Sequence, residues 1–282
     1  MRLFLLTALT MVAFAANSIL NRMALASGHI GVAEFGTIRL VAGAVMLAVL
    51  CAGLRGGLRF GGPARVTGVL SLLAYIYGFS LAYGALDAGL GALILFGVVQ
   101  ITMVAGGLVA HEPMPFRRWL GAGLALAGLG WMLWPGAVAQ VSALHGAFMA
   151  AAGLGWGIYS LAGRKSGDAL QATTANFVIA APLGLGIGLA LPLDPVPMDM
   201  SGITLAVLSG AVTSGLGYAL WYSVLPKLAA SVAAVAQLTV PVIALAGGML
   251  VLGETLTLQT LLASALVLGG VAVSVLPRRR PA

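Results

Sequence analysis

Ten apolar runs, separated by short polar breaks, follow one another from Leu3 to Leu276. A hydrocarbon core takes about 20 apolar residues per helix. The runs fall at roughly 3–24, 31–51, 66–86, 88–109, 117–135, 141–163, 171–191, 201–222, 229–252 and 257–276. The breaks carry turn chemistry, as in Arg55-Gly56-Gly57, Gly61-Gly62-Pro63, His111-Glu112-Pro113 and Leu191-Pro192-Leu193-Asp194-Pro195. Their shortness makes neighbouring runs antiparallel. A closed β-barrel would need alternating segments of about ten residues, whereas these runs are longer and do not alternate. The pattern predicts an all-α integral membrane bundle of ten transmembrane helices. Charge agrees: 7% of the 282 residues are charged, against about 25% in a soluble domain, and mean hydropathy is +1.08. The opening MRLFLLTALTMVAFAANS imitates a secretory signal, with Ala-Phe-Ala at the cleavage position. No hydrophilic domain follows it, so it is expected to remain as the first helix. The single Cys51 allows no internal disulfide and has no metal-ligand spacing around it. No metal, redox group or other cofactor is expected.

The net charge of +7 reads as topology rather than as a nucleic-acid surface. Placed on the ten runs, Arg2, Arg55, Arg59, Arg65, Arg117, Arg118, Arg164, Lys165, Lys227, Arg278, Arg279 and Arg280 share one side, and only Arg22 and Arg39 remain for the other. The positive-inside rule then puts both termini in the cytoplasm of a bacterial inner membrane. Five acids, Glu34, Asp87, Asp194, Asp199 and Glu254, fall on the opposite side. A shift of 142 residues aligns Leu86–Gly130 with Leu228–Ala272 without a gap and with 13 of 45 positions identical; chance would give about five for so biased a composition. The same shift pairs Phe14 with Trp156, Ser18 with Ser160, Arg22 with Arg164, and Ala33 and Phe35 with Ala175 and Phe177. Two domains follow, residues 1–136 and 137–282. Five spans being an odd number, the second enters the membrane inverted relative to the first. Inverted repeats give secondary transporters two conformations of similar energy, with a site between the halves near the midplane.

Pro241 and, thirteen residues on, Glu254 lie within PVIALAGGMLVLGETLTLQTLLASALVLGGVAVS, which resembles the end of each repeat in EamA-type carriers of the drug/metabolite transporter superfamily. The first repeat carries the matching Glu112 in GGLVAHEPMPFRRWLGAGLALAGLG, with Val99 at the proline position. Arg39, in EFGTIRLVAGAV, resembles an arginine that this family often has in its second helix, and its repeat mate is Ala181. Within the superfamily the pattern is most similar to bacterial aromatic amino-acid exporters. The resemblance implies a ten-helix, basket-like bundle with a central cavity that exports small metabolites by alternating access.

Polar and aromatic residues at membrane depth are the candidate site. Phe14, Asn17, Ser18 and Asn21 share one face of the first helix, and their repeat mates are Trp156, Tyr159, Ser160 and Gly163. Carboxamides in hydrocarbon need partners or a wet cavity, so these amides either glue helices together or line a cavity. Gln100 and Gln237 pose the same choice. Phe79 and Tyr83 share a face of the third helix, Phe96 lies near mid-depth on the fourth, and Tyr218, Trp221 and Tyr222 run along the eighth. An interfacial belt competes with cavity lining for Tyr83, Trp221, Tyr222, Trp131 and Trp134, which lie near span ends, and Trp119 reads as belt. Gly153-Gly157 with Gly155, Gly184-Gly188 and Gly210-Ser214 have close-packing spacing. Pro182 and Pro241, inside spans, are hinge candidates. Arg39 lies about 12 Å into its span, where a charge costs about 3 kcal/mol. Glu34 is on another face, so Arg39 either snorkels outward or finds a partner on another helix, in a structural role or against a substrate carboxylate.

No Asp or Glu lies near the middle of a span, and no central Lys/Arg cluster exists. Proton-carrying carboxylates and phosphorylated cargo are thereby disfavoured. A neutral or zwitterionic cargo, above all aromatic and other large apolar amino acids, moving by facilitated transport through a monomer, fits best. Asn17, Asn21, Gln100 and Gln237 would bind its polar groups, and Phe14, Phe79, Tyr83, Phe96, Trp156, Tyr159, Tyr218 and Trp221 its side chain. Nucleosides, sugars or neutral drugs are the alternative cargo. A membrane enzyme is disfavoured, since His29, His111 and His145 lie on separate segments and form no ligand or nucleophile pair by spacing.

Overall fold

A computed structural model describes residues 1–62, 64–111, 115–132, 142–163, 167–191, 196–228 and 236–275. Glu112, Trp134, Arg164, Lys165, Asp194 and Arg278, Arg279 and Arg280 lie outside the described residues. Among the described residues the chain forms ten helices and no strand: α1 (Arg2–Ala26), α2 (Val32–Arg55), α3 (Arg65–Tyr83), α4 (Ala88–Val109), α5 (Phe116–Met132), α6 (Ala143–Gly163), α7 (Ala169–Ala190), α8 (Met200–Val224), α9 (Thr239–Leu252) and α10 (Leu258–Val275). Six of them, α1 to α4, α7 and α8, are each long and apolar enough to cross a bilayer. The protein is a multi-pass membrane protein, and its side chains are sorted accordingly. Phe4, Leu9, Val45, Val49, Leu185, Leu189 and Leu250 point outward, while Asn17, Asn21, Arg39, Ser80, Ser209, Thr213 and Ser214 are buried. Hydrocarbon offers these polar groups no partner, so they must find one another inside the bundle.

Helix pairing follows the 142-residue shift. The α3/α6 contact has its counterpart in α8/α1, α4/α6 in α9/α1, and α2/α8 in α7/α3, whereas α2/α7, α4/α9 and α5/α10 each join two repeat mates. Small residues permit the closest approaches. A Cβ on Gly155 would stand 2.7 Å from the Ser71 carbonyl of α3, while Gly153 and Gly157 turn toward Val98 and Thr102 of α4, so α6 is wedged between α3 and α4. A Cβ on Gly210 would collide with the Arg39 carbonyl, which marks the tightest crossing of α2 and α8.

Two spans depart from regular helix. Leu208–Leu216, the middle of α8, is a π-helix, a geometry that often marks functional sites. The ninth span, expected as one helix over 229–252, has a turn at Leu238. Pro241 supplies the cause, because its missing N–H leaves the Gln237 carbonyl without its helical donor. It therefore sits in the first turn of α9 and follows the break. Beside the break, Thr239 donates through its hydroxyl to the neighbouring Ala236 carbonyl at 2.6 Å. Pro182, by contrast, lies within α7, which continues past it.

Ion pairs tie the helix ends. At the end opposite the N-terminus, Arg22 of α1 reaches Asp87 at 3.3 Å and Glu254 at 3.5 Å, and donates to the Tyr83 and Gly84 carbonyls. Glu254, brought back by the left-handed Gly253, accepts the Ala88 amide at 2.8 Å and so caps α4. His29 and Asp199, which the spacing left unconnected, pair at 2.7 Å at the same end. At the other end Asp168 caps α7 through the Leu170 and Gln171 amides and binds Arg55 at 2.6 Å. Partial burial pushes the Asp168 carboxyl up, but these amides and the guanidinium hold it below the ordinary aspartate value.

Replacing Asp168 with Ala removes the cap and should cost about 1 kcal/mol, read as a lower thermal midpoint in detergent. Since the native pKa lies below the unfolded one, the contribution is complete above the ordinary aspartate value and disappears as pH falls through the native one. The difference between wild type and variant should therefore shrink on acidification below about pH 4. The Arg22 cluster predicts a second effect. In a Cys51→Ser background, a Ser18→Cys thiol, one turn from Arg22, should react slowly, and Arg22→Ala should speed its labelling by about tenfold. An unchanged rate would mean that the ion pairs do not hold that end shut.

Candidate functional site

The inward face of α1 sets one wall of the site. Asn17 Oδ1 accepts from Ser209 Oγ at 2.6 Å and Thr213 Oγ1 at 2.9 Å, both on the π-helical part of α8, and Asn17 Nδ2 donates to the Tyr75 hydroxyl at 3.4 Å. Asn21 Nδ2 donates to the Asn17 carbonyl and to Ser209, and its Oδ1 accepts from Ser80 of α3. Asn21 thus acts as a strut joining α1, α3 and α8, and it does not line the cavity.

Around these amides stands a continuous aromatic cluster with Trp156 at its centre. Trp156 lies 5.0 Å from Tyr75, 5.0 Å from Tyr218, 6.2 Å from Phe14 and 5.6 Å from a stacked Tyr159, by ring centroids. Phe14 meets Trp156, Tyr218 and Trp221 edge-on, and Phe79 is tilted against Tyr75 and edge-on to Tyr83. Such tilted and edge-on pairs contribute about 0.5–1.5 kcal/mol each beyond area burial. Phe14 and Trp156, mates under the 142-residue shift, face each other across the cluster.

The cavity inside this cluster is lined by Phe14, Asn17, Ser18, Tyr75, Phe79, Leu95, Phe96, Trp156, Thr213 and Tyr218. It leaves about 20 Å³ for water centres, room for about one water. A cargo larger than that needs the walls to part. A second hollow, about 510 Å³, lies between α2 and α8 and is walled by Ile38, Val41, Val45, Met46, Val49 and Val207. Its walls are almost wholly apolar and Val41, Val45 and Val49 are exposed, so it belongs to the lipid-facing surface.

Of the twelve residues predicted to bind cargo, Phe14, Asn17, Phe79, Phe96, Trp156 and Tyr218 line the cavity. Tyr159 and Trp221 back it from the next layer. Tyr83 is buried and donates to the Ala88 carbonyl at 3.0 Å, which fixes the α3–α4 turn. Gln100 and Gln237 are half-buried and lie off the cavity wall. The belt alternative fails for Tyr83 and Trp221, both buried, and for Tyr222, which packs against the core, because α3 and α8 turn these faces inward. Trp119 and Trp131 are exposed, as a belt requires.

Arg39 does not snorkel. Its guanidinium is fully buried, donating through Nε to Ser214 Oγ at 3.1 Å and through Nη2 to the Tyr75 hydroxyl at 3.0 Å. It also stands 5.1 Å and 5.0 Å from the Tyr75 and Phe79 ring centroids, within cation–π range. Tyr75, Leu95 and Thr213 are lining residues that the sequence reading missed. Tyr75 had a signal, since it precedes Phe79 and Tyr83 at four-residue steps on one face. Thr213 had none, because its partner Asn17, which it shares with Ser209 one turn earlier, lies on a distant segment. Among the described residues no group of three His, Cys, Asp or Glu side chains could hold a metal.

Comparison with known proteins gives this geometry a context. The family model described as the EamA-like transporter family matches residues 145–276. An uncharacterized protein of Pseudomonas aeruginosa is 44% identical over 280 residues, 98% of this chain and 96% of that protein. An uncharacterized transporter of Archaeoglobus fulgidus is 34% identical over 105 residues, 37% of this chain and 38% of its own. A solved crystal structure superposes with a TM-score of 0.67 over 99% of both chains at 18% identity, a likeness of fold. The chain carries an EamA-like transporter family domain over residues 145–276 and is on that ground a membrane transporter of the drug/metabolite transporter superfamily.

Proposed function

We propose that the protein exports large apolar amino acids, aromatic ones above all, by facilitated alternating access. One observation carries this reading: a closed aromatic cluster at the centre of the bundle, with the Asn17 amide and four hydroxyl side chains, Ser18, Tyr75, Thr213 and Tyr218, on its wall and no acidic side chain. Rings of Phe14, Phe96, Trp156 and Tyr218 suit a planar or bulky apolar side chain, and the hydroxyl and amide groups suit its polar end. Without a titrating carboxylate in the cavity, coupling to protons has no carrier.

In this reading the two domains are residues 1–136 and 137–282, inverted relative to each other, and they move as two halves around the cavity. The paired helix contacts, each its own counterpart or matched by another under the same shift, support it. So does the family match, which starts and ends close to the second unit. The basic side faces the cytoplasm of a bacterial inner membrane, the Arg22 cluster faces outward, and one chain forms the whole path. The closed cavity is then an occluded state between the two open ones.

Purified protein in liposomes should exchange labelled phenylalanine or tryptophan without an imposed pH gradient, and Trp156→Ala should lower the rate by about tenfold or more. Accumulation that appears only under a proton gradient would overturn facilitated transport. Exchange of nucleosides or sugars in place of amino acids would overturn the cargo class.

A further inference from the structure

We infer that Arg39 is the anchor for a substrate carboxylate, so that the site recognises aromatic and apolar carboxylates and can dispense with the ammonium group. The inference rests on the cavity being the transport site, and it narrows what that site accepts.

Two buried polar atoms of the described structure have no hydrogen-bond partner: Arg39 Nη1 and the Tyr218 hydroxyl oxygen. They are neighbours in one cluster. Tyr218 lines the cavity with its hydroxyl beside that of Tyr75, and Arg39, itself off the cavity wall, donates to the same Tyr75 hydroxyl from behind Tyr75 and Phe79, two of the lining rings. A guanidinium carries five N–H donors and remains charged in any protein environment. Here Nε and Nη2 are used, Nη1 is not, and no exposure to water compensates.

The charge is equally uncompensated. Among the described residues the four ion pairs all lie at the helix ends, and none involves Arg39. What surrounds the guanidinium is a ring of neutral acceptors and π faces, namely Ser214, Tyr75 and Phe79. Such a collar softens a buried cation without neutralising it, and leaves a place for an anion. A purely structural arginine would be expected to have its full set of donors occupied, since a buried unmade hydrogen bond is costly. A carboxylate has the acceptor capacity to take both orphans, one from Nη1 and one from the Tyr218 hydroxyl. Its apolar remainder would lie among Phe14, Phe96 and Trp156. An ammonium group finds no anionic counterpart on this wall, so it contributes little to binding.

The cavity must open to admit the ligand. The Arg39 carbonyl touches Gly210 at the close crossing of α2 with the π-helical part of α8, and Ser214 of that segment holds Nε. A movement of α8 against α2 would therefore carry Tyr218 and Ser214 relative to the guanidinium.

Binding to purified protein in detergent can be followed through tryptophan fluorescence, with 3-phenylpropionate, phenylalanine and phenethylamine as probes. The acid and the amino acid should bind saturably, and the amine should bind at least about tenfold more weakly. Arg39→Gln should weaken 3-phenylpropionate by about tenfold or more, with Arg39→Lys falling between, and Tyr218→Phe by about threefold. Each variant is first shown to be monodisperse with a cooperative thermal transition. Should Arg39→Gln not fold, the acid-to-amine ratio of wild type and the Tyr218→Phe variant decide the matter. Equal binding of amine and acid, no binding of either, or an unchanged constant in folded Arg39→Gln overturns the anchor. If phenylalanine is exchanged in liposomes yet acid and amine bind alike, the anchor falls and amino-acid transport stands. If no amino acid is exchanged while 3-phenylpropionate binding depends on Arg39, the transport reading falls and the anchor stands.

Discussion

Hydrocarbon neither hydrogen-bonds a polar side chain nor rewards two apolar helices for touching, and the whole arrangement follows from these two facts. Helices must associate through close backbone approach, which is why α6 meets α3 at Gly155 and α8 meets α2 at Gly210. Polar side chains must turn inward and satisfy one another, which is why Asn17, Asn21, Ser80, Ser209 and Thr213 form one network across α1, α3 and α8. The same network stands against the aromatic cluster around Trp156. Packing and recognition thus draw on the same few residues, and the cavity lies where the inward polar face of α1 meets the rings of α3, α6 and α8.

The ends of the helices follow a different logic, because charge is affordable there. Arg22, Asp87 and Glu254 join α1, the α3–α4 turn and the segment after α9, and Asp168 with Arg55 joins α7 to α2 at the opposite face. Between these charged rims only Arg39 is charged at depth, among the described residues. Its partners are hydroxyls and ring faces rather than acids, so its positive charge is spread over the wall of the cavity.

Much of this was legible from the chain. Apolar runs and turn residues located all ten helices, and the 3.6-residue period put Phe14, Asn17, Ser18 and Asn21 on one face of α1, of which the first three line the cavity. Contacts between distant segments were not legible, since no local pattern encodes them. The period shows that Arg39 is deep, but not that Ser214 and Tyr75 receive it. For the same reason Asn21 looked like Asn17, though one is a strut and the other a wall. Proximity to a span end misled for Tyr83 and Trp221, because inward rotation, and not depth, decides whether an aromatic residue meets lipid. Gly210 and Ser214 were visible as a small pair, yet the change of helix type between Leu208 and Leu216 leaves no compositional trace.

That change of helix type has a consequence for the angular layout of α8. On an α-helical wheel Thr213 and Tyr218, five residues apart, would sit about 140° from each other, and one would be turned away when the other faced the cavity. The i→i+5 ladder over Leu208–Leu216 unwinds the stretch that carries Thr213 toward Tyr218, which follows it in regular α-helix, and both line the cavity here. If the segment tightened to the ordinary ladder, Tyr218 and all that follows would swing relative to Thr213. A rotary displacement of one aromatic wall would then need no change in the tilt of the helix.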